Sequence, residues 1–439
     1  MIIPSIDLAN GSTVQLIGGK EHALDAGDPR PIAEKFARVG EVAVIDLDAA
    51  RGLGSNRGLV RELLAIAPCR VGGGIRDERA AVEWLDAGAH KIILGTAATP
   101  EILRNLPRDR VIAALDAHHN DIVVEGWTRA TGARVEDRIE ELRDLVGGFL
   151  VTFVEREGRM GGLPLERVRD LASRCGDARL TVAGGVRTPD DIARADHAGA
   201  DAQVGMALYT GAFSLAQGFC APLRSDRPDG LWPTVVADER GITLGLVYST
   251  PESVAAAIEG ARGIYHSRSR NGLWIKGESS GDTQELLRID ADCDRDALRF
   301  TVRQHGAGFC HTGTHSCFGA ARGLTATART IAARINDAPA GSYTRRLLDD
   351  PALLRAKLIE EAGELADAGT PDDAAWEAAD VIYFALVAAA KQGASLAQIE
   401  SILDDRTRRV IRRPGNAKTP DAKSAGDRTG EAQTGDPKP

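Results

Sequence analysis

The feature that most constrains this chain is a repeat at half the length of its first region. Asp7 in SIDLANG recurs as Asp116 in ALDAHHN, 109 positions on. VGGGIRD from Val71 recurs as VAGGVRT from Val182 at an offset of 111, and LGTAA from Leu94 recurs as VGMAL from Val204 at 110. Offsets this uniform mean a duplicated unit rather than chance similarity. Within the same region eight strand-like runs alternate with helical segments: MIIPSIDL, VAVIDLD, CRVGGGI, KIILG, VIAALDA, FLVTFVE, RLTVAGGV and DAQVGMAL. Parallel strands need a crossover between them, and eight β/α units in residues 1–223 predict a closed (β/α)8 TIM barrel, with an open doubly wound sheet as runner-up.

The repeat also carries chemistry. One aspartate per half, Asp7 and Asp116, falls at the C-terminal end of strands one and five, which puts two carboxylates across the barrel mouth for paired acid and base work. Each half also ends strands in glycines whose backbone N–H groups can approach an oxyanion. The phosphate contacts expected are Gly73, Gly74, Arg76, Gly95 and Thr96 in one half, and Gly184, Gly185, Gly205 and Met206 in the other. Two such sites imply a substrate phosphorylated at both ends. Any one of these glycines alone reads as a tight turn; the repetition argues for more.

A chain of 439 residues exceeds one ordinary core, so two to four domains are expected. Its hydrophobic fraction of 43% is that of a soluble globular protein. No apolar run approaches membrane-spanning length, and MIIPSIDL lacks the pattern of a signal peptide, so a cytoplasmic protein with no membrane partner is expected. A net charge of −9 argues against a nucleic-acid partner. Six cysteines in so long a chain do not make a disulfide framework; clustered thiols in a reducing compartment point to metal or catalysis.

RSDRPDG, residues 224–230, reads as a linker, and consecutive strands with one helix then predict a small α+β domain over 231–322. Three of the cysteines lie in ADCDRDALRFTVRQHGAGFCHTGTHSCF. If DCDRD is a strand, Asp292, Asp294 and Asp296 share one face and Cys293 takes the other. The carboxylates suit Mg²⁺, and Cys293, Cys310 and Cys317 could supply three thiolates to zinc, leaving a fourth position open as catalytic sites do. Zinc in such a site lowers the pKa of bound water toward roughly 7. Upstream, Arg268, Arg270 and Lys276 lie near Ser279 and Ser280, a mixture able to clamp phosphate.

Past Gly323 helical periodicity takes over. Four helices predict an all-α, bundle-like domain over 323–413, completed by a dimer partner, with 414–439 too poor in large apolar residues to order. Glu361 and Glu364 lie at i, i+3 on one helix, as do Glu377 and Asp380 on the next, in apolar settings where bound cations would relieve their repulsion.

Three resemblances rest on these motifs. IIPSIDLANG, VIDLDAARGLGSN, VGGGIRD, LGTAA, ALDAHHNDIVVEGW and VGMALYTG resemble the histidine-pathway isomerase that converts the formimino aminoimidazole carboxamide ribotide from an aldose to a ketose. The resemblance implies Asp7 as the base at the sugar C2 proton, Asp116 as the ring-opening acid and Thr152 as a supporting group, with no cofactor. Gln15 stands where that family usually has Arg, and Glu157-Gly158 where it has Asp-Gly.

YHSRSRNGLWIKGESSG, DCDRDAL and GFCHTGTHSCFG resemble phosphoribosyl-AMP cyclohydrolase. That implies Zn²⁺ on Cys293, Cys310 and Cys317, Mg²⁺ on Asp292, Asp294 and Asp296, and a homodimer whose zinc ligands come from both subunits. GSYTRRLL, KLIEEAGEL and WEAADVIYFAL resemble phosphoribosyl-ATP pyrophosphohydrolase, which implies Mg²⁺ on Glu361, Glu364, Glu377 and Asp380, with Lys357, Arg345 and Arg346 toward phosphate. Together they imply steps two to four of histidine biosynthesis on small phosphoribosyl nucleotides. The alternative is a bifunctional hydrolase whose barrel serves only as scaffold or interaction surface.

Overall fold

The computed structural model describes residues 1–19, 21–124, 127 and 129–410. The expected tail at 414–439, and the last residues of the expected helical domain, lie outside them. All eight expected parallel strands form: β1 (Ile2–Ala9), β2 (Val42–Asp46), β3 (Cys69–Gly72), β4 (Lys91–Leu94), β5 (Val111–His118), β6 (Gly148–Phe153), β7 (Arg179–Ala183) and β8 (Ala200–Val204). They pair in chain order, and β8 returns to β1 with Ile2 opposite Ala202, so the sheet closes. The barrel interior is plugged by Ile93, Ile112, Leu150 and Ala183. Each half adds an antiparallel hairpin at the mouth, Ser12–Ile17 with Glu21–Gly27 after β1, and Asp121–Val124 with Arg129–Arg134 after β5. The repeat therefore extends to the loops.

A second sheet lies beyond the barrel, made of β9 (Trp232–Asp238), β10 (Thr243–Ser249), β11 (Ile264–Ser267), β12 (Gly272–Ile275), β13 (Gln284–Ala291) and β14 (Leu298–Gln304), in the order β12-β11-β10-β9-β14-β13. Only β9 and β14 run parallel. Residues 292–297 are not a strand. They form the loop joining β13 to β14, in which Asp292 Oδ1 accepts from the backbone N–H of Asp296 and Ala297 at 3.0 and 3.1 Å. Period-two geometry thus does not sort these residues; a turn does.

Two barrel helices carry polar contacts to the region of the second sheet, α1 (Pro29–Ala37) through Lys35 and α2 (Pro189–His197) through Asp196. Helix α2 starts with Thr188 and Asp191 capping one another's backbone and Pro189 in the first turn. Helix α3 (Pro251–Gly260) packs on the second sheet. The C-terminal region holds α4 (Gly323–Asn336), α5 (Tyr343–Asp349), α6 (Pro351–Asp367), α7 (Pro371–Lys391) and α8 (Leu396–Arg408). The sequence pattern predicts four; the fifth, α5, is the TRRLL segment, capped by Ser342 and too short to show a period. Helices α6 and α7 lie against each other, each opened by a capping side chain, Asp350 or Thr370, with proline next.

The apolar interior divides unequally. One continuous core runs from the barrel into the second sheet, from Ile6 and Phe149 to Tyr265 and Phe300. The helices keep a separate small cluster of Ile331, Leu347, Leu354, Phe384, Leu386 and Val387. Full burial of such a side chain is worth about 1.5–3 kcal/mol, so the helical region is the less self-sufficient part. Among the described residues no helix is long and apolar enough to cross a membrane.

Candidate active sites

At the barrel mouth, Asp7 and Asp116 lie on β1 and β5, four strands apart around the closed sheet. Burial pushes the Asp7 carboxyl up to about 7. Asp116 is also raised by burial, against hydrogen bonds from Trp127 and Thr152 that favour its charged form. Thr152 reaches it because β6 pairs with β5 in the register that sets Thr152 opposite Asp116. A third carboxylate joins them. Glu157 is lifted to about 8 by burial first, then by the charges of Asp7 and Asp116. Neither Glu157 nor Trp127 is assigned to the site from sequence; the signals are the departure at Glu157-Gly158 and the place of Trp127 at the end of ALDAHHNDIVVEGW.

A small cavity of about 50 Å³ opens here, lined by Ser5, Asp7, Glu157, Gly184, Gly185, Gly205 and Met206 among others. Two of its glycines are dictated by close approach of backbone: a Cβ at Gly184 would lie 2.6 Å from Phe153 O, and one at Gly185 2.6 Å from Gly162 O; at Gly205 the nearest atom is the end of the Gln15 side chain, Oε1 at 2.5 Å. The fold thus brings the second-half phosphate candidates to Asp7. The first-half set does not line this cavity. Gly73 is required because Asp46 O would sit 2.2 Å from its Cβ and Gly74 because Ala49 crowds it, whereas Gly95, Thr96 and Arg76 are exposed. Much of the VIDLDAARGLGSN motif is scaffold: Asp46 and Asp48 accept from Asn56 Nδ2 at 2.8 and 3.0 Å, and Asp48 also accepts from Asn10 N.

In the second sheet's loops, Cys310 and Cys317 meet. Hydrogen bonds from Thr312 draw the Cys310 thiol down to about 6, while burial and Cys310 itself raise Cys317. Cys293 is exposed, with Asp294 as its neighbour at 3.9 Å, and among the described residues it forms no three-ligand group with the other two thiols. Asp292, Asp294 and Asp296 do converge, with one oxygen of each within 4.8 Å of the others. Lys276 differs in setting from the other expected phosphate contacts. It is buried with Nζ directed at Asp282 O, 3.4 Å away, and it feels the charges of Cys317 and Cys310, whereas Arg268, Arg270, Ser279 and Ser280 are exposed. Arg268 lies 4.2 Å above the Tyr248 ring.

Across α6 and α7, Glu361, Glu377 and Asp380 bring carboxylate oxygens within 4.8 Å. Glu364 reaches Glu377 from the next turn: burial, then the charges of Glu364 and Glu361, hold the Glu377 carboxyl above its usual range. Lys357 pairs with Glu361 at 2.8 Å and Glu360 at 3.0 Å, while Arg345 pairs with Asp349 in its own helix. Three carboxylates this close, with a lysine at the edge, have the donor chemistry of a divalent-cation site.

Residues 1–214 match the family described as histidine biosynthesis protein. An imidazole carboxamide isomerase of Gemmatimonas aurantiaca is 37% identical over 222 residues, which is 48% of this chain and 93% of that protein. The chain belongs to the histidine biosynthesis protein family. Residues 245–319 of this family member match phosphoribosyl-AMP cyclohydrolase, and residues 324–407 match phosphoribosyl-ATP pyrophosphohydrolase, two families that use metal ions and act on small phosphoribosyl nucleotides. A histidine biosynthesis trifunctional protein of Neurospora crassa is 39% identical over 345 residues, covering 77% of this chain and 37% of that protein. A histidine biosynthesis bifunctional protein of Schizosaccharomyces pombe is 50% identical over 221 residues, or 50% of this chain and 53% of that one. The chain spans about a quarter to a half of the length of such multifunctional relatives.

Proposed function

We propose that this chain carries out three consecutive steps of histidine biosynthesis: release of pyrophosphate from phosphoribosyl-ATP, opening of the adenine ring of phosphoribosyl-AMP, and aldose-to-ketose isomerisation of the product. The observation that carries the reading is the coexistence in one chain of three constellations of suitable chemistry: the buried Asp7 and Asp116 pair, the Cys310 and Cys317 pair, and the Glu361, Glu377 and Asp380 cluster. The working boundaries are 1–223, 231–322 and 323–413 around a 224–230 linker, and the working compartment is the cytoplasm.

In the barrel, Asp116 gives a proton to the ribose ring oxygen as the C1–O bond breaks and the amine lone pair forms the C1=N bond. Asp7 then takes the C2 proton, the C2–H electrons become a C1–C2 double bond as the C1=N π pair returns to nitrogen, and protonation at C1 with loss of the C2 hydroxyl proton leaves the C2 ketone. A carboxyl raised by burial is suited to both duties, since each must change protonation near neutral pH. Thr152 and Trp127 orient Asp116. Gly184, Gly185, Gly205 and Met206 bind one phosphate through backbone N–H groups, and Gly73, Gly74, Arg76, Gly95 and Thr96 the other.

For the middle step, Cys310 and Cys317 would hold zinc with Cys293 of the partner subunit, since the chain's own Cys293 stands apart from the pair. Asp292, Asp294 and Asp296 would hold Mg²⁺, and Arg268, Arg270, Lys276, Ser279 and Ser280 are the proposed phosphate contacts. In the helices, Glu361, Glu364, Glu377 and Asp380 would hold Mg²⁺ against the triphosphate. The metals supply an activated water and neutralise phosphate charge; the side chains place them. A homodimer fits the exposed apolar side chains of α6 and α7, where Trp376 is 73% and Ile359 62% exposed.

A second reading, a noncatalytic barrel, is favoured by two observations: Gln15 Oε1 crowds Gly205, and Glu157 adds a third carboxyl beside Gly184. Supplying phosphoribosyl-ATP with Mg²⁺ to the zinc-loaded protein separates the readings. The ketose accumulates if all three sites work, and accumulation of the aldose would leave the barrel as scaffold.

A further inference from the structure

The loop of Asp292, Asp294 and Asp296 is not held by its own hairpin alone. Arg295, in the middle of it, has φ of 73°, a left-handed conformation that a side-chain-bearing residue seldom adopts unless something outside secures it. Three contacts do so. Its carbonyl accepts from Arg224 N at 2.8 Å, its Nη1 donates to Asp292 O at 2.8 Å, and its Nη2 donates to Asp196 Oδ1 at 3.1 Å. Asp196 belongs to α2 of the barrel, where Met1 N at 2.8 Å and Arg179 at 3.6 Å fix it in turn. The Arg295 and Asp196 side chains are only 19% and 16% exposed, so solvent screens this bridge little. One guanidinium thus joins the backbone of the first acidic residue to a barrel helix.

We infer that Arg295 is a positioning residue: through Asp196 the barrel fixes the shape of the acidic loop and so sets its affinity for a divalent cation. This rests on the reading of the three aspartates as cation ligands. Carboxylates gathered within 4.8 Å repel one another, and a loop free to relax would spread them. Contacts outside the ligand set that hold ligands in place are typically worth on the order of 10- to 100-fold in metal affinity. Here that support comes from another fold, which makes the barrel part of the cation site whether or not it is an enzyme.

Mn²⁺, followed by its electron paramagnetic resonance signal, is titrated into the full-length zinc-loaded protein. Asp294→Asn identifies the class of bound Mn²⁺ that belongs to the loop, and the remainder reports the helical cluster. Arg295→Gly suits the left-handed backbone and removes only the side chain; it is expected to weaken the loop class by on the order of tenfold and leave the helical class unchanged. Asp196→Asn weakens the same class, and Arg295→Lys, which keeps the charge, restores part of it. Unchanged loop affinity in both Arg295→Gly and Asp196→Asn overturns the positioning role while the cation reading stands. If Asp294→Asn removes no Mn²⁺ class, the cation reading fails and this inference with it.

Discussion

At the barrel mouth, Asp7, Asp116 and Glu157 are walled in by their own chain, which completes the barrel by pairing β8 with β1. Across α6 and α7, Glu361, Glu377 and Asp380 gather beside a cluster of six buried apolar residues, with Trp376 left largely in solvent. Both groups hold carboxyls above their usual range, and burial is the first cause in each; what differs is that at Asp7 and Asp116 no neighbouring charge adds to it. In the helices the neighbouring charges of Glu364 and Glu361 add to modest burial at Glu377. A carboxyl raised by burial is a proton donor in waiting; one raised by its neighbours is relieved by a cation. The same side chain is thus prepared for two chemistries by its surroundings.

The largest test of that contrast is Asp116→Asn. Loss of a general acid should lower isomerisation on the order of 10³-fold with both hydrolytic steps unchanged, measured by which product accumulates. Glu364→Gln should lower pyrophosphate release on the order of 100-fold and be insensitive to the barrel substitution; undiminished release would remove Glu364 from the cation set. Cys317→Ser should give folded protein that lacks zinc and does not open the adenine ring, while zinc retained at full content would count against the thiol assignment.

Smaller effects read the barrel's proton inventory. Because Asp7 sits at about 7 and Glu157 at about 8, isomerisation should rise with pH as Asp7 loses its proton and fall again as Glu157 ionises beside Gly184. Glu157→Gln should abolish the alkaline fall and spare the acid limb; a fall that persists excludes Glu157 as its cause. Stability follows the same sign. With Asp7 raised in the folded protein, its burial costs nothing below the unfolded value, near pH 4, and progressively more as pH rises toward about 7. Asp7→Asn should therefore raise the melting temperature at pH 8 by a few degrees, about what 1 kcal/mol or more yields in a domain of this size, and hardly at pH 4.

The parts legible in the sequence were those written in short-range patterns or repeats. Eight strands, the paired Asp7 and Asp116, and the i, i+3 carboxylates of α6 and α7 all derive from period and offset. What escaped depends on contacts between distant segments. Alternation in DCDRD reads equally as strand or turn, and only the pairing of β13 with β14 decides that it is a loop. Lys276 sits among cationic and small residues in sequence, but the fold turns it toward Asp282 and the thiols. Glu157 lies 150 positions from Asp7, and nothing local announces that their carboxylates share a cavity.

Strand β13 lies at the edge of the second sheet, and there the backbone N–H of Ile289 finds its acceptor in Arg38 O, just past α1 of the barrel, at 2.8 Å. Nearby, Arg38 Nη1 reaches Ile258 O and Lys35 reaches Glu259 on α3. An uncovered edge strand is an invitation to pair with another chain. Cutting the gene between the barrel and the second sheet would therefore expose a sticky border as well as an apolar one, and the C-terminal fragment should precipitate or self-associate unless that border is recharged. The barrel thus covers an edge of its neighbour's sheet that would otherwise lie open.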